Sequence, residues 1–123
     1  MGLFSQLKRS NDKSKVMAQL INALKGPINS REVDVAMRAF YTYICDDFLL
    51  GPIIQKYNAD YDTVKYLILK LDESVGGWYG GWHKNQYIPV STFSFSRSLE
   101  CALKEYREGS SIELILFEVK KLI

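Results

Sequence analysis

Side chains able to carry nucleophilic or metal chemistry are few in this chain. It holds one histidine, His83, and two cysteines, Cys45 and Cys101. Hydrolysis by a Cys or Ser nucleophile needs a base beside the nucleophile and a group that orients the base, and only His83 offers an imidazole. Both cysteines fall within apolar helical periods, a setting for a buried, reduced thiol and not for an activated thiolate. Metal centres draw on ligands at short paired spacing, such as Cys-x-x-Cys or His-x-x-x-His, and one histidine with two distant cysteines supplies no such pair. Asp46 and Asp47 are adjacent carboxylates, but neighbouring helical residues diverge by about 100°, so they read as a solvated helix end. Gly76-Gly77 and Gly80-Gly81 could bend around a phosphate, yet no Gly-Lys-Ser/Thr follows, and no strand and helix frame them as a phosphate loop requires. The expectation is a chain without catalytic residues, metal or cofactor.

Chemistry of another kind is concentrated in one stretch. Gly76-Gly77-Trp78-Tyr79-Gly80-Gly81-Trp82-His83 gathers four of the eight glycines, both tryptophans and the only histidine into eight residues. Six aromatic residues lie between positions 76 and 95: Trp78, Tyr79, Trp82, Tyr87, Phe93 and Phe95. Trp and Tyr dominate binding hot spots because they bury a large area at small entropic cost. Tyr87, Phe93 and Phe95 suit the open end of a helical core. Trp78, Tyr79 and Trp82, crowded between glycines with His83 and Lys84 beside them, cannot all point inward. Trp78, Tyr79, Trp82, His83, Lys84 and Tyr87 are therefore the expected contact residues for a protein partner.

The elements that must position this stretch follow from periodicity. At 123 residues, 47% hydrophobic and 24% charged, the chain is expected to form a single compact domain over 1–123, with residues 1–12 as a peripheral arm. A domain of this size buries roughly two thirds of its unfolded surface and needs no disulfide staple. Val16, Met17, Leu20, Ile21 and Leu24 predict an amphipathic helix over 15–25 that stops at Gly26-Pro27. Ser30 should cap a long central helix running to about Leu50, with Met37, Phe40, Tyr41, Ile44 and Phe48 on one face and a narrow polar stripe of Arg31, Asp34, Arg38, Thr42 and Asp46. Pro52 to Tyr57 reads as a short helix. Tyr61 to Val75 reads as a longer one, burying Val64, Leu67, Ile68, Leu71 and Val75. No helical period returns between Gly76 and Phe95, where a small hairpin turning at Gly80-Gly81 is expected. Ser96 should cap a helix with Leu99, Ala102, Leu103 and Tyr106 on its face, ending at Gly109. The tail from Ser111 fits a strand or a helix; its Ser111 cap, Glu113 at the start and Lys120-Lys121 at the end select the helix. The fold class is thus mainly α: five or six helices with a Gly/Trp-rich irregular or β-hairpin insertion at 76–95.

Formal charge is +2 and unevenly spread. Lys8, Arg9, Lys13, Lys15 and Lys25 against Asp12 give the first 30 residues a basic excess. Between 31 and 75 the balance is acidic. Arg31, Arg38, Lys56, Lys65 and Lys70 there face Glu32, Asp34, Asp46, Asp47, Asp60, Asp62, Asp72 and Glu73. A phosphate-gripping protein would carry a stronger basic excess. No run of 18 apolar residues occurs, and Met1 to Arg9 lacks the apolar stretch of a signal peptide, so no membrane span and a soluble, cytoplasmic protein are expected. Gly2 is followed by Gln6 where the myristoylation pattern wants Ser or Thr.

The order of elements from Pro52 to Val75, helix, turn, helix and then a hairpin, is similar to the winged-helix family. That resemblance implies DNA binding through the helix from Tyr61, with Lys65 and Lys70 as its cations. Asp60 and Asp62 stand at the helix start, where such a protein presents donors to phosphates. The sequence therefore points to a non-catalytic protein-binding module of the inhibitor, immunity or adaptor type, using the aromatic loop 78–87. A DNA-binding regulator using helices 52–75 is the alternative.

Overall fold

The computed structural model describes residues 15–74, 81–83, 86–88 and 92–122. It is mainly helical. Helix α1 covers residues 15–23; then come α2 (Arg31–Asp46), α3 (Gly51–Lys56), α4 (Tyr61–Ser74), α5 (Thr92–Arg107) and α6 (Ile112–Lys120). Two three-residue strands, β1 (Gly81–His83) and β2 (Gln86–Ile88), pair antiparallel between α4 and α5.

Local chemistry sets most helix ends. Ser30 accepts a hydrogen bond from the Val33 N–H at 3.2 Å, and Ser111 accepts one from the Leu114 N–H at 3.2 Å. Asp60 Oδ1 accepts from the Thr63 N–H at 2.8 Å. Each side chain thereby satisfies a backbone donor that the first helical turn leaves open. Helix α5 ends in a Schellman turn: Gly109 has φ +82°, its N–H reaches the Tyr106 carbonyl, and the Ser110 N–H reaches that of Glu105. Helix α3 closes the same way through Asn58 at φ 47°, with Ala59 bonded back to Ile54.

The long central helix is shorter than its periodicity suggests. It stops at Asp46, because Asp47 turns to extended backbone and its carboxylate accepts the N–H groups of Leu49 and Leu50 at 2.9 and 3.0 Å. Asp47 is thus a half-buried corner residue, while Asp46 is the solvated end. Phe48, expected on the buried face, falls just beyond this corner and is 76% exposed. Leu50 takes the buried place instead.

Helix α3 starts at Gly51, one residue before Pro52, and its chain passes close to the end of α2. A Cβ on Gly51 would lie 2.7 Å from the Cys45 carbonyl oxygen.

Helix α5 begins at Thr92, four residues earlier than Ser96, so positions 92–95 of the expected insertion are helical. Phe95 completes the stripe with Leu99, Ala102 and Leu103, and its ring meets Phe40 at 5.9 Å. Ser96, expected as a cap, is a buried residue inside the helix. Tyr106, expected on the inner face, is 44% exposed.

Around α2 the core draws Val33, Ala36, Met37, Phe40 and Ile44 from α2 itself, and Val64, Leu67, Ile68 and Leu71 from α4. Helix α1 adds Met17 and Leu20, and α6 adds Ile115 and Val119. Cys45 and Cys101 are free thiols at the edge of this core, half-buried where full burial was expected, because both lie on helix flanks. Burial pushes the Cys101 thiol up from its ordinary value. Among the described residues no helix is long and apolar enough to cross a membrane. The expected arm 1–12 and Val75 lie outside the described residues.

Gly51→Ala should lower stability by about 1–3 kcal/mol, since the methyl group meets a backbone carbonyl that cannot step aside. Phe48→Ala should change it by no more than about 0.5 kcal/mol. Urea unfolding midpoints check both.

Candidate functional site

Two of the expected contact residues meet in the β ladder, where Trp82 lies directly opposite Tyr87. His83 pairs with Gln86 and Gly81 with Ile88, so Gly81 stands inside the ladder and not at the turn where the glycine pair was expected. Trp78, Tyr79 and Lys84 lie outside the described residues.

The most elaborate polar constellation among the described residues joins α2 to α4. The Tyr61 hydroxyl donates to Asp34 Oδ1 at 2.6 Å and lies 3.1 Å from the Asp34 carbonyl oxygen. Lys65 Nζ donates to the same Oδ1 at 3.1 Å, and Arg38 Nε donates to Oδ2 at 3.1 Å. The Arg38 guanidinium also stacks over the Tyr61 ring, 4.4 Å from its centroid. Tyr41 stands edge-on to that ring at 5.8 Å, and its hydroxyl donates to the Ala59 carbonyl at 2.7 Å.

Two helical repeats build this clasp. Asp34 and Arg38 are four apart on α2, Tyr61 and Lys65 four apart on α4, so each pair shares one face. A smaller clasp joins α3 to α5, where Lys56 Nζ meets Glu100 Oε2 at 3.0 Å and the Tyr57 hydroxyl lies 3.4 Å from the same oxygen.

Electrostatics shows what the Asp34 clasp can do. Hydrogen bonds from Tyr61, Lys65 and Arg38, in that order of weight, hold the Asp34 carboxyl well below the usual carboxylate range. Burial, and then the bond to Asp34, raises the Tyr61 phenol well above its ordinary value. Burial also pushes Tyr41 up to about 12. A general acid or base works best with a pKa near the operating pH, and these groups are driven away from neutrality in opposite directions. The arrangement keeps Asp34 charged and Tyr61 protonated, which suits a fixed clamp between helices.

The same contacts bear on α4 as a DNA-reading helix. Lys65, one of its two expected cations, is committed to Asp34. Val64, Leu67, Ile68 and Leu71 are buried, leaving Asp62, Tyr66, Lys70 and Glu73 on the outer face. That face carries more acid than base.

An open cleft of about 480 Å³ lies where α1 hands over to α2, lined in part by Gln19, Asn22, Ser30, Arg31, Glu32 and Val35. Among the described residues no cluster of three or more His, Cys, Asp or Glu is placed to hold a metal. No protein-family model, no curated protein and no solved structure matches the chain.

Sequence reasoning placed Asp34 and Arg38 on the polar stripe of α2 but missed their partners. The signal available was the second i, i+4 pair, Tyr61 and Lys65, on a helix otherwise apolar toward its neighbours.

The clasp predicts a two-sided pH dependence. Asp34 has a lower pKa folded than unfolded, so its stabilisation is complete above the ordinary Asp value of about 3.9 and drains away as the pH falls below it. Tyr61 has a higher pKa folded than unfolded, so its stabilisation is complete below about pH 10 and is lost as the pH rises further. Asp34→Asn should lower stability at neutral pH and flatten the acid limb of a plot of urea midpoint against pH. Tyr61→Phe should flatten the alkaline limb.

Proposed function

We propose that this chain is a non-catalytic protein-binding module, of the inhibitor, immunity or adaptor kind, acting in the cytoplasm. Its contact surface is a Gly/Trp-rich β-hairpin insertion between α4 and α5 that presents Trp78, Tyr79, Trp82, His83, Lys84 and Tyr87 to a protein partner.

The observation that carries this reading is the rung pairing Trp82 with Tyr87. It brings two residue types that favour hot spots to adjoining register positions. The centre of the bundle, meanwhile, is filled by helix side chains such as Phe40, Leu67, Ile68, Leu71 and Leu99, each at most 1% exposed. The fixed protonation states of the Asp34 clasp support a scaffold role for the principal ionisable cluster. The DNA-binding alternative loses ground because Lys65 is held by Asp34 and the outer face of α4 is acidic on balance.

Trp78→Ala and Trp82→Ala separate an interface from a lid on the core. As interface residues each should cost about 2 kcal/mol or more of partner binding while leaving stability within about 0.5 kcal/mol. As core residues each would cost about 3–5 kcal/mol of stability. Affinity capture from the native cell, run beside thermal melting, reads both quantities. Salt-sensitive retention on DNA with no protein captured would replace this reading with the regulator.

A further inference from the structure

Helix α6 is apolar on two sides. Its inner side buries Ile115 and Val119 against the bundle. Its outer side leaves Phe117 58% and Leu114 43% exposed. At about 100° per residue, Phe117 sits at the middle of the outer arc, with Glu113 and Lys120 on one flank and Leu114 and Lys121 on the other. Glu113, Lys120 and Lys121 are all exposed. Neither Glu113 nor Lys120 has an ion-pair partner among the described residues.

The sequence of this arc is self-complementary. Reading outward from Phe117, an acid stands at the N-terminal end and bases at the C-terminal end. When two copies of α6 lie antiparallel across a two-fold axis at Phe117, Glu113 of each faces Lys120 of the other while the two rings meet in the centre. An isologous interface demands this palindromic pattern, since residue i must suit residue j and j must suit i. Like charges would oppose one another if the helices ran parallel.

Phe117 also has a cation at its ring. The Lys121 ammonium lies 4.5 Å from its ring centroid and is itself held by Glu118 at 3.3 Å.

We propose that the chain pairs with a second copy of itself through the outer face of α6, antiparallel and centred on Phe117, with Glu113 and Lys120 exchanged across the two-fold axis. The surface is distinct from the aromatic hairpin and does not depend on it. One exposed face of a nine-residue helix is a small patch, so the pairing belongs to the weak end of the interface range and depends on concentration.

Sedimentation velocity of the full chain from micromolar to submillimolar concentration, at low salt, tests the pairing. The expected result is a rise from monomer to dimer that Phe117→Asp abolishes, while the melting temperature of the dilute protein stays unchanged. Glu113→Lys and Lys120→Glu should each weaken the dimer, and the double variant carrying both should restore it. A double variant that stays as weak as the single ones overturns the antiparallel register. A dimer indifferent to Phe117→Asp, or a chain monomeric throughout the range, overturns the proposal. In the monomeric case, a melting temperature lowered by Phe117→Asp would show that another part of the same chain covers the ring. Loss of a captured protein instead would show that a foreign partner does.

Discussion

Everything else in this fold answers to the breadth of the apolar surface on α2. Val33, Ala36, Met37, Phe40 and Ile44 are all essentially inaccessible, and a 16-residue helix on its own is marginal in water. Fully burying a side chain of the size of Met, Phe or Ile is worth roughly 1.5–3 kcal/mol. The helix therefore persists only if neighbours cover it from several directions. Helices α3 and α4 pack directly on it, α5 reaches it through Phe95 against Phe40, and α6 closes the far side over α4 and α5. Covering α2 so widely brings part of its polar stripe under cover too. Asp34 keeps 36% of its side chain exposed and also takes donors from within the protein, from Tyr61, Lys65 and Arg38.

The corner at Asp47 is the second constraint, and it converts a sequence pattern into a different structure. A carboxylate able to take two backbone N–H groups offers the chain an alternative to continuing the helix. Gly51 lets α3 fold back against the end of α2 without a side chain in the way. Phe48 still fits the helical period of the sequence, but after a break in the backbone that period no longer describes which way it faces. Periodicity marks a face only as far as the helix extends.

The same distinction separates what was legible in the sequence from what was not. The caps at Ser30 and Ser111 and the Gly109 stop are local events within a few residues, and those ends lie where local chemistry places them. The start of α5 was obscured because Ser96, whose side chain suits a cap, is instead buried inside the helix. The register of β1 against β2 was not legible, because a glycine pair suits a tight turn, whereas Gly81 stands inside the ladder opposite Ile88. The Asp34 to Tyr61 contact spans 27 residues, and only the placement of α4 over α2 creates it.

These internal pairings also change what the charge pattern means. Between 31 and 75 acids outnumber bases, which on the sequence looks like an acidic surface. In the folded protein several of those acids already have work. Asp34 takes hydrogen bonds from Tyr61, Lys65 and Arg38, Asp47 takes the Leu49 and Leu50 N–H groups, and Asp60 caps α4. Of the basic residues there, Lys65 and Arg38 are drawn into the same clasp, and Lys56 is paired with Glu100. Such charges still contribute to the long-range field, which salt screens beyond about 10 Å, and Arg38 and Lys56 stay largely open to solvent while paired. Arg31, Glu32, Asp46, Asp62, Lys70 and Glu73 stay exposed, both signs together with acid in excess. The proposed hairpin contact and the outer face of α6 both lie outside this acidic stretch, and each would recognise a partner through aromatic and apolar area, with charge setting register.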